Sequence, residues 1–304
     1  MKKLAIVIPA YKDCFLSETL SSLAEQTCKN FVVYVGDDNS PYPIKDVVTS
    51  YINKLEIVYH RFESNIGTQS LVRQWQRCVN LTTEDYIWLF SDDDMLPNDA
   101  VERFWNYEKQ HTFDICRLPL ELIDKEGRTL LKLKDYPPCI SSTDYLKKRL
   151  LREILSSASE YIFTRKRYEE CGFVEFPLAW CSDDASWAQM GREKGIDTIP
   201  GVPVGLRMSG ENISSKEDNF STKFLSDSLY VQWIHQHFPD IDECYYYQYL
   251  RSKLSGNHTL SFRERLDIIM PLHCLTMWHR LLLICNNSLI YKIIKYVYIH
   301  RTKR

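Results

Sequence analysis

Three consecutive carboxylates, Asp92-Asp93-Asp94, follow the apolar run Tyr86-Ile87-Trp88-Leu89-Phe90 in this 304-residue chain. Adjacent carboxylates repel one another and raise each other's pKa unless a cation sits among them. A hard divalent ion such as Mg²⁺ or Mn²⁺ relieves that repulsion, and it binds through one or two carboxylates together with the phosphates of a substrate. The same run also suits a solvated acidic turn, because Pro97, Asn98, Asp99 and Glu102 make a helix start behind it. Two further carboxylate pairs stand in polar settings: Asp37-Asp38 within Gly36-Asp37-Asp38-Asn39-Ser40-Pro41, and Asp183-Asp184 within Trp180-Cys181-Ser182-Asp183-Asp184-Ala185-Ser186-Trp187. Asp, Asn, Ser and Pro are turn formers and Asp is a good helix N-cap, so each pair also has a purely structural use.

The elements that must position these groups are legible from periodicity. Tyr86 to Phe90 is too short for a helix and lacks a solvent-facing alternation, which predicts a strand buried on both faces in a parallel sheet. Leu4-Ala5-Ile6-Val7-Ile8-Pro9 predicts another such strand, Phe31 to Val35 a second, and Lys54 to Phe62 contains a third. Between them, Leu16, Leu20 and Leu23, then Leu71, Trp75, Cys78 and Val79, recur at helical spacing, and Val101, Phe104 and Trp105 do so after the carboxylates. Strand and helix alternating in this way predict an α/β fold with right-handed parallel crossovers. Ligands bind such a sheet beyond the carboxyl ends of its strands, where the polar exits lie. Farther on, Asp114 to Leu122 and Thr129 to Leu133 read as a strand pair joined across Asp124-Lys125-Glu126-Gly127-Arg128. Residues 141–155 and Ala185 to Lys194 read as helices, with a strand at Tyr161-Ile162-Phe163 and a basic helix from Arg165.

Composition excludes several classes. A formal net charge of -2 gives no global reason for nucleic-acid binding. The ten cysteines are scattered singly, without a Cys-x-x-Cys pair, and read as small apolar fillers in a reducing compartment. Leu4 to Pro9 is too short for a signal peptide core, so a cytoplasmic location is expected. From about Asn219 the chain turns helix-forming and aromatic-rich, and from Ile268 to Arg304 it holds basic residues and no acidic ones. Ile290, Ile293, Ile294 and Val297 share one helical face with Lys292 and Lys295 off it, the pattern either of an interfacial helix on an anionic membrane or of a helix packed on protein. His279, Arg280, Asn286 and Asn287 interrupt the apolar runs and argue against a transmembrane span.

Taken together, Val7-Ile8-Pro9-Ala10-Tyr11, Gln26-Thr27, Gly36-Asp37-Asp38-Asn39-Ser40, Asn65-Ile66-Gly67 and Asp85 through Asp94 resemble, in order and spacing, a family 2 glycosyltransferase of the GT-A fold. The resemblance covers roughly residues 1 to 215 and implies a Rossmann-like nucleotide-binding sheet with helices on both faces. It implies nucleotide binding over residues 1–100, an acceptor side over 101–215, and a helical region with a basic tail over 216–304. On that basis Pro9, Tyr11, Asp37 and Asp38 cradle the nucleoside, with Asn65, Gly67, Arg73, Asp92 and Asp93 nearby. Asp94 is the expected direct ligand of Mn²⁺ or Mg²⁺, with Asp92 as the second metal residue and Asp92 or Asp93 holding ribose or a metal-bound water. Asp184 is the expected catalytic base with Asp183 beside it, and Arg207 and Ser214 the diphosphate contacts of a closing loop. Met208-Ser209 departs from relatives that carry a metal-binding His there. The implied reaction moves a sugar, with inversion, from a nucleoside-diphosphate sugar, UDP by preference, to a glycan or lipid-linked glycan. Such an enzyme works at the cytoplasmic face, as in relatives that build bacterial surface polysaccharides. A non-catalytic glycan- or partner-binding protein on the same fold stays open. A sugar-phosphate nucleotidyltransferase is disfavoured, because Pro9-Ala10-Tyr11-Lys12-Asp13 is not a Gly- and Arg-rich phosphate loop.

Overall fold

A computed structural model describes residues 3–134, 136–210, 219–255 and 260–285. The chain opens with alternating strands and helices: β1 (Leu4–Ala10), α1 (Leu16–Ala24), β2 (Val32–Asp37), α2 (Ile44–Thr49), β3 (Ile57–Arg61), α3 (Leu71–Val79), β4 (Tyr86–Leu89) and α4 (Ala100–Glu108). It continues with β5 (Ile115–Arg117), β6 (Leu120–Ile123), β7 (Thr129–Lys132), β8 (Cys139–Ile140), α5 (Ser142–Leu150), β9 (Tyr161–Thr164), α6 (Arg165–Cys171), α7 (Ser182–Met190), β10 (Ile196–Thr198) and β11 (Val204–Arg207). Four helices follow: α8 (Phe220–His237), α9 (Glu243–Leu254), α10 (Phe262–Ile269) and α11 (Met277–Ile284).

The chain forms two compact units. The first takes the described residues within Met1–Ser142, Ile154–Glu175 and Ser182–Lys216. Its main sheet runs β3-β2-β1-β4-β9-β5-β10-β8, and a second sheet runs β11-β6-β7. Strands β3, β2, β1 and β4 are mutually parallel, as the crossovers require, whereas β9 inserts antiparallel between β4 and β5. All of β4 is buried, in keeping with a strand covered on both faces. Tyr86, Trp88 and Phe90 face a core that includes Phe104 and Trp105 of α4, with the Tyr86 and Phe104 rings edge to face at 5.2 Å.

The expected strand from Asp114 to Leu122 is two strands in two sheets. Pro119 separates them, since it has no N–H for a ladder, while its carbonyl accepts the Val204 amide at 2.8 Å and Leu118 donates to the Glu160 carbonyl at 2.9 Å. Helix α7 starts at Ser182 rather than Ala185 and stops at Met190, ahead of Gly191 and of Gly195 at φ 84°. Ile44–Thr49 forms a helix that periodicity did not announce, too short to carry a pattern.

The second unit takes the described residues within Thr143–Glu153, Phe176–Cys181 and Glu217–Arg304. Its turn at 176–181 holds Leu178, Ala179 and Cys181 at φ 60°, 54° and 64°, which costs on the order of 1 kcal/mol or more apiece for non-glycine residues. Neighbours within the unit over-determine it. The Trp180 indole donates to buried Asp227 at 2.9 Å, the Tyr249 hydroxyl donates to the same carboxylate, and Ser226 Oγ donates to the Pro177 carbonyl at 2.8 Å. The amphipathic basic segment anticipated at 290–297 lies outside the described residues. Among the described residues no helix is long and apolar enough to cross a membrane.

Candidate active site

The exits of β1, β2 and β4 sit side by side, because β1 lies between the other two in the sheet. The first tie between them is Asp92, whose Oδ2 accepts the amides of Tyr11 and Lys12 at 3.0 and 3.1 Å. Those two bonds offset only part of the cost of its burial, and its pKa stays raised. Burial, with the charges of Asp94 and Asp92, pushes Asp93 up to about 8, while Lys12 and Arg207 pull it back. Asp94 is wholly enclosed. Its Oδ1 accepts the Arg207 amide at 2.9 Å and its Oδ2 accepts the Ser159 hydroxyl, yet burial still pushes it up to about 6. Each Asp94 oxygen thus accepts one bond and keeps a second lone pair, whereas the two amides take both lone pairs of Asp92 Oδ2.

The β2 exit is braced from within. Asp37 is fully buried and accepts the Ser40 amide at 2.7 Å, the Tyr59 hydroxyl at 2.6 Å and Arg61 Nη1 at 2.9 Å. Asp38 accepts the amides of Ile66 and Gly67, both at 2.9 Å, and pairs with Arg77. This is why position 67 is glycine: a Cβ there would lie 2.5 Å from Asp38 Oδ2. Asn65 turns the same loop, its Oδ1 accepting the Thr68 amide at 3.1 Å. Pro9 pairs with Gly36 across the β1–β2 register, and Tyr11 is 37 % exposed at the mouth of the cluster. Arg73 stands on the exposed side of α3, 3.4 Å from Glu175.

Asp183 and Asp184 lie in the first turn of α7, Asp184 buried and Asp183 half-buried. Trp187, one turn on, stacks on Tyr161 with ring centres 5.0 Å apart, and Tyr161 opens β9 two residues after Ser159. The α7 carboxylates and the Asp92–Asp94 turn are thus hung from the same short stretch. Arg207 ends strand β11 rather than lying in a loop, and Ser214 lies outside the described residues.

The family model for glycosyl transferase family 2 matches residues 5–173, more than half of the chain. The chain belongs to glycosyl transferase family 2. The poly(ribitol-phosphate) beta-glucosyltransferase of Bacillus spizizenii is 26% identical over 188 residues, 55% of this chain and 29% of that protein. The poly(ribitol-phosphate) beta-N-acetylglucosaminyltransferase TarS of Staphylococcus aureus is 23% identical over 189 residues, 55% of this chain and 33% of TarS. The GalNAc(5)-diNAcBac-PP-undecaprenol beta-1,3-glucosyltransferase of Campylobacter jejuni is 22% identical over 204 residues, 64% of this chain and 62% of that protein. The chain spans about a third of the length of the first two. Among solved structures, S. aureus TarS 1–349 in complex with UDP-GlcNAc superposes with a TM-score of 0.71 at 18% identity, covering 98% of this chain and 92% of that one. The fold is that of the GT-A glycosyltransferases.

Within this family 2 chain, sequence reasoning missed the groups that hold the carboxylates. Arg77 is one helical turn beyond Arg73, and its neighbourhood to Asp38 follows from the fold rather than from spacing. Tyr59 and Arg61 sit on an edge strand with no motif of their own. Ser159 lies in the middle of a short 3-10 turn at Ala158–Glu160, whose Ser157/Glu160 capping box was a readable signal for the turn though not for the bond from Ser159 to Asp94. Among the described residues no group of three or more His, Cys, Asp or Glu side chains is placed to hold a metal by itself. The carboxylates of the Asp92–Asp94 turn are hard oxygen donors of the kind Mg²⁺ or Mn²⁺ takes, one or two of which would suffice together with a substrate's phosphates.

Proposed function

We propose that this protein transfers a sugar, with inversion, from a nucleoside-diphosphate sugar to a hydroxyl of a glycan or lipid-linked glycan acceptor. The observation that carries the reading is the junction of three strand exits. Three consecutive carboxylates, Asp94 buried and Asp92 and Asp93 half-buried, lie against the β1 exit through Asp92, and β1 in turn lies against the β2 exit with Asp37 and Asp38. Nucleoside binding is assigned to Pro9, Tyr11, Asp37, Asp38 and the Asn65–Gly67 loop, with the donor side in residues 1–100 and the acceptor side in 101–215. UDP is the preferred nucleotide, in line with the UDP-GlcNAc complex of TarS.

Asp94, joined by Asp92, would hold Mn²⁺ or Mg²⁺, which when bound neutralises charge on the departing diphosphate. Ser159 and the Arg207 amide keep the Asp94 carboxylate aimed. Asp184 takes the proton from the acceptor hydroxyl, with Asp183 beside it as an orienting or binding group. The poly(ribitol-phosphate) and undecaprenol-linked substrates in the relatives' names support a surface-polymer acceptor, and the basic tail supports docking on the anionic inner face of the membrane.

The test is paired. Melting curves with a panel of nucleoside diphosphates and their sugars, in Mn²⁺ or chelator, are expected to show metal-dependent stabilisation, about 2.7 kcal/mol for a ligand at 100 times its dissociation constant. Asp184→Asn is expected to keep that stabilisation and lose transfer. Turnover by Asp184→Asn at the wild-type rate would remove Asp184 from the mechanism, and no response to any nucleotide would favour a binding protein.

A further inference from the structure

Arg207 is a charged side chain with no exposed surface, and its contacts reach three separate segments. Nε donates to the Asp93 carbonyl at 2.8 Å, Nη1 to the carbonyls of Asp124, at 3.3 Å, and Lys125, and Nη2 to the Glu18 carboxylate at 2.6 Å. The guanidinium carbon lies 4.4 Å from the centre of the Phe15 ring. Its own amide donates to Asp94 Oδ1 at 2.9 Å. One residue therefore touches helix α1, the acidic turn and the 124–128 hairpin turn. Two residues earlier, Gly205 exchanges main-chain bonds with Met95 at 2.9 and 3.0 Å, closing β11 onto the end of the same turn.

A guanidinium offers five N–H donors in one rigid plane, and here the fork is spent on fixed acceptors inside the protein. A diphosphate oxygen could reach it only by displacing a main-chain carbonyl or Glu18. A lysine, a point charge on a flexible stem, could not span the three segments.

We propose that Arg207 is a positioning residue. It fixes the Asp93 carbonyl and, through its amide, the Asp94 carboxylate in the geometry the donor site uses, and Glu18 and the hairpin carbonyls hold Arg207 in place. The inference rests on the donor-site reading of Asp92–Asp94 and departs from a direct contact between Arg207 and the diphosphate.

The experiment compares Arg207→Lys and Glu18→Gln with the wild-type chain. Glu18 is half-exposed, so its variant tests the strut even if Arg207→Lys does not fold. Amide exchange is read on a peptide covering 91–96 against one covering β1, and UDP affinity is read in Mn²⁺ and in chelator. Faster exchange at 91–96 with β1 unchanged is expected in both variants. The gain in UDP affinity on adding Mn²⁺ is expected to fall about tenfold in Arg207→Lys and less in Glu18→Gln, with affinity in chelator unchanged. Wild-type exchange at 91–96, together with an equal loss of UDP affinity in Mn²⁺ and in chelator, would overturn the proposal and make Arg207 a diphosphate contact. A wild-type chain that binds no UDP would defeat the donor-site reading, while the exchange comparison still decides whether Arg207 holds the turn.

Discussion

Each carboxylate of Asp92-Asp93-Asp94 is held differently: Asp92 by two amides of the β1 exit, Asp94 by a hydroxyl and a strand amide, Asp93 by the charges of Lys12 and Arg207. Asp93 and Asp94 bind protons in the folded chain up to about 8 and about 6, mainly because they are buried. An unfolded chain releases those protons near the ordinary aspartate value of about 3.9. Between these limits the folded state holds more protons than the unfolded state, so stability is fullest below about 3.9 and is lost as pH rises through the folded values. Without metal, wild-type melting temperature is therefore expected to fall from mildly acidic to mildly alkaline pH, relative to Asp93→Asn. Mn²⁺ should cancel the difference. Parallel melting-versus-pH curves for the two chains in chelator would show that the cluster carries no such strain.

Helix α1 is the element that fixes the turn after the carboxylates. Gln26, at its end, donates to the Pro97 carbonyl at 2.8 Å and accepts the Val101 amide at 3.1 Å, while Thr27 accepts no less a role by donating its amide to Asn98 at 2.8 Å. Thr19 Oγ1 donates to the Asp94 carbonyl at 2.9 Å, one face of the same helix higher up. The Gln26-Thr27 signature therefore serves the site by bolting α1 to the start of α4. Gln26→Ala leaves the buried Val101 amide unpaired, while the Pro97 carbonyl keeps the Ala100 amide at 3.1 Å, and should cost about 2 kcal/mol, read by denaturant melts. Its donor affinity should fall with stability, since the turn at 95–101 loses its anchor. An unchanged midpoint would mean that water replaces the side chain.

For the molecule as a whole, the sheet brings the polar exits of β2, β1 and β4 side by side, and the basic residues of the tail add a charge that the net value of -2 conceals. Lipid attraction of this type runs at about 1 kcal/mol per basic residue near an anionic surface and weakens with salt. The intact chain is expected to float with phosphatidylserine vesicles at low salt and not with neutral ones. Exchanging Lys292, Lys295, Arg301, Lys303 and Arg304 for glutamate should abolish flotation without changing UDP affinity. Flotation that survives the exchange would assign the membrane contact to another surface.

The local runs of the sequence by themselves determined the α/β class, the buried strands at β1, β2 and β4, and the carboxylates at their exits. A doubly covered strand and a polar strand exit are written in consecutive residues. Tertiary structure decided what holds those carboxylates, because the partners are distant in sequence: Arg77 lies 39 residues from Asp38, Ser159 65 from Asp94, and Arg207 113 from Asp94. It also decided that Asp114 to Leu122 divides between two sheets, since only packing reveals which ladder a short strand joins. Periodicity records which face of an element is buried. It does not record which donor from another element arrives there, and at this site such donors aim Asp37, Asp38, Asp92 and Asp94.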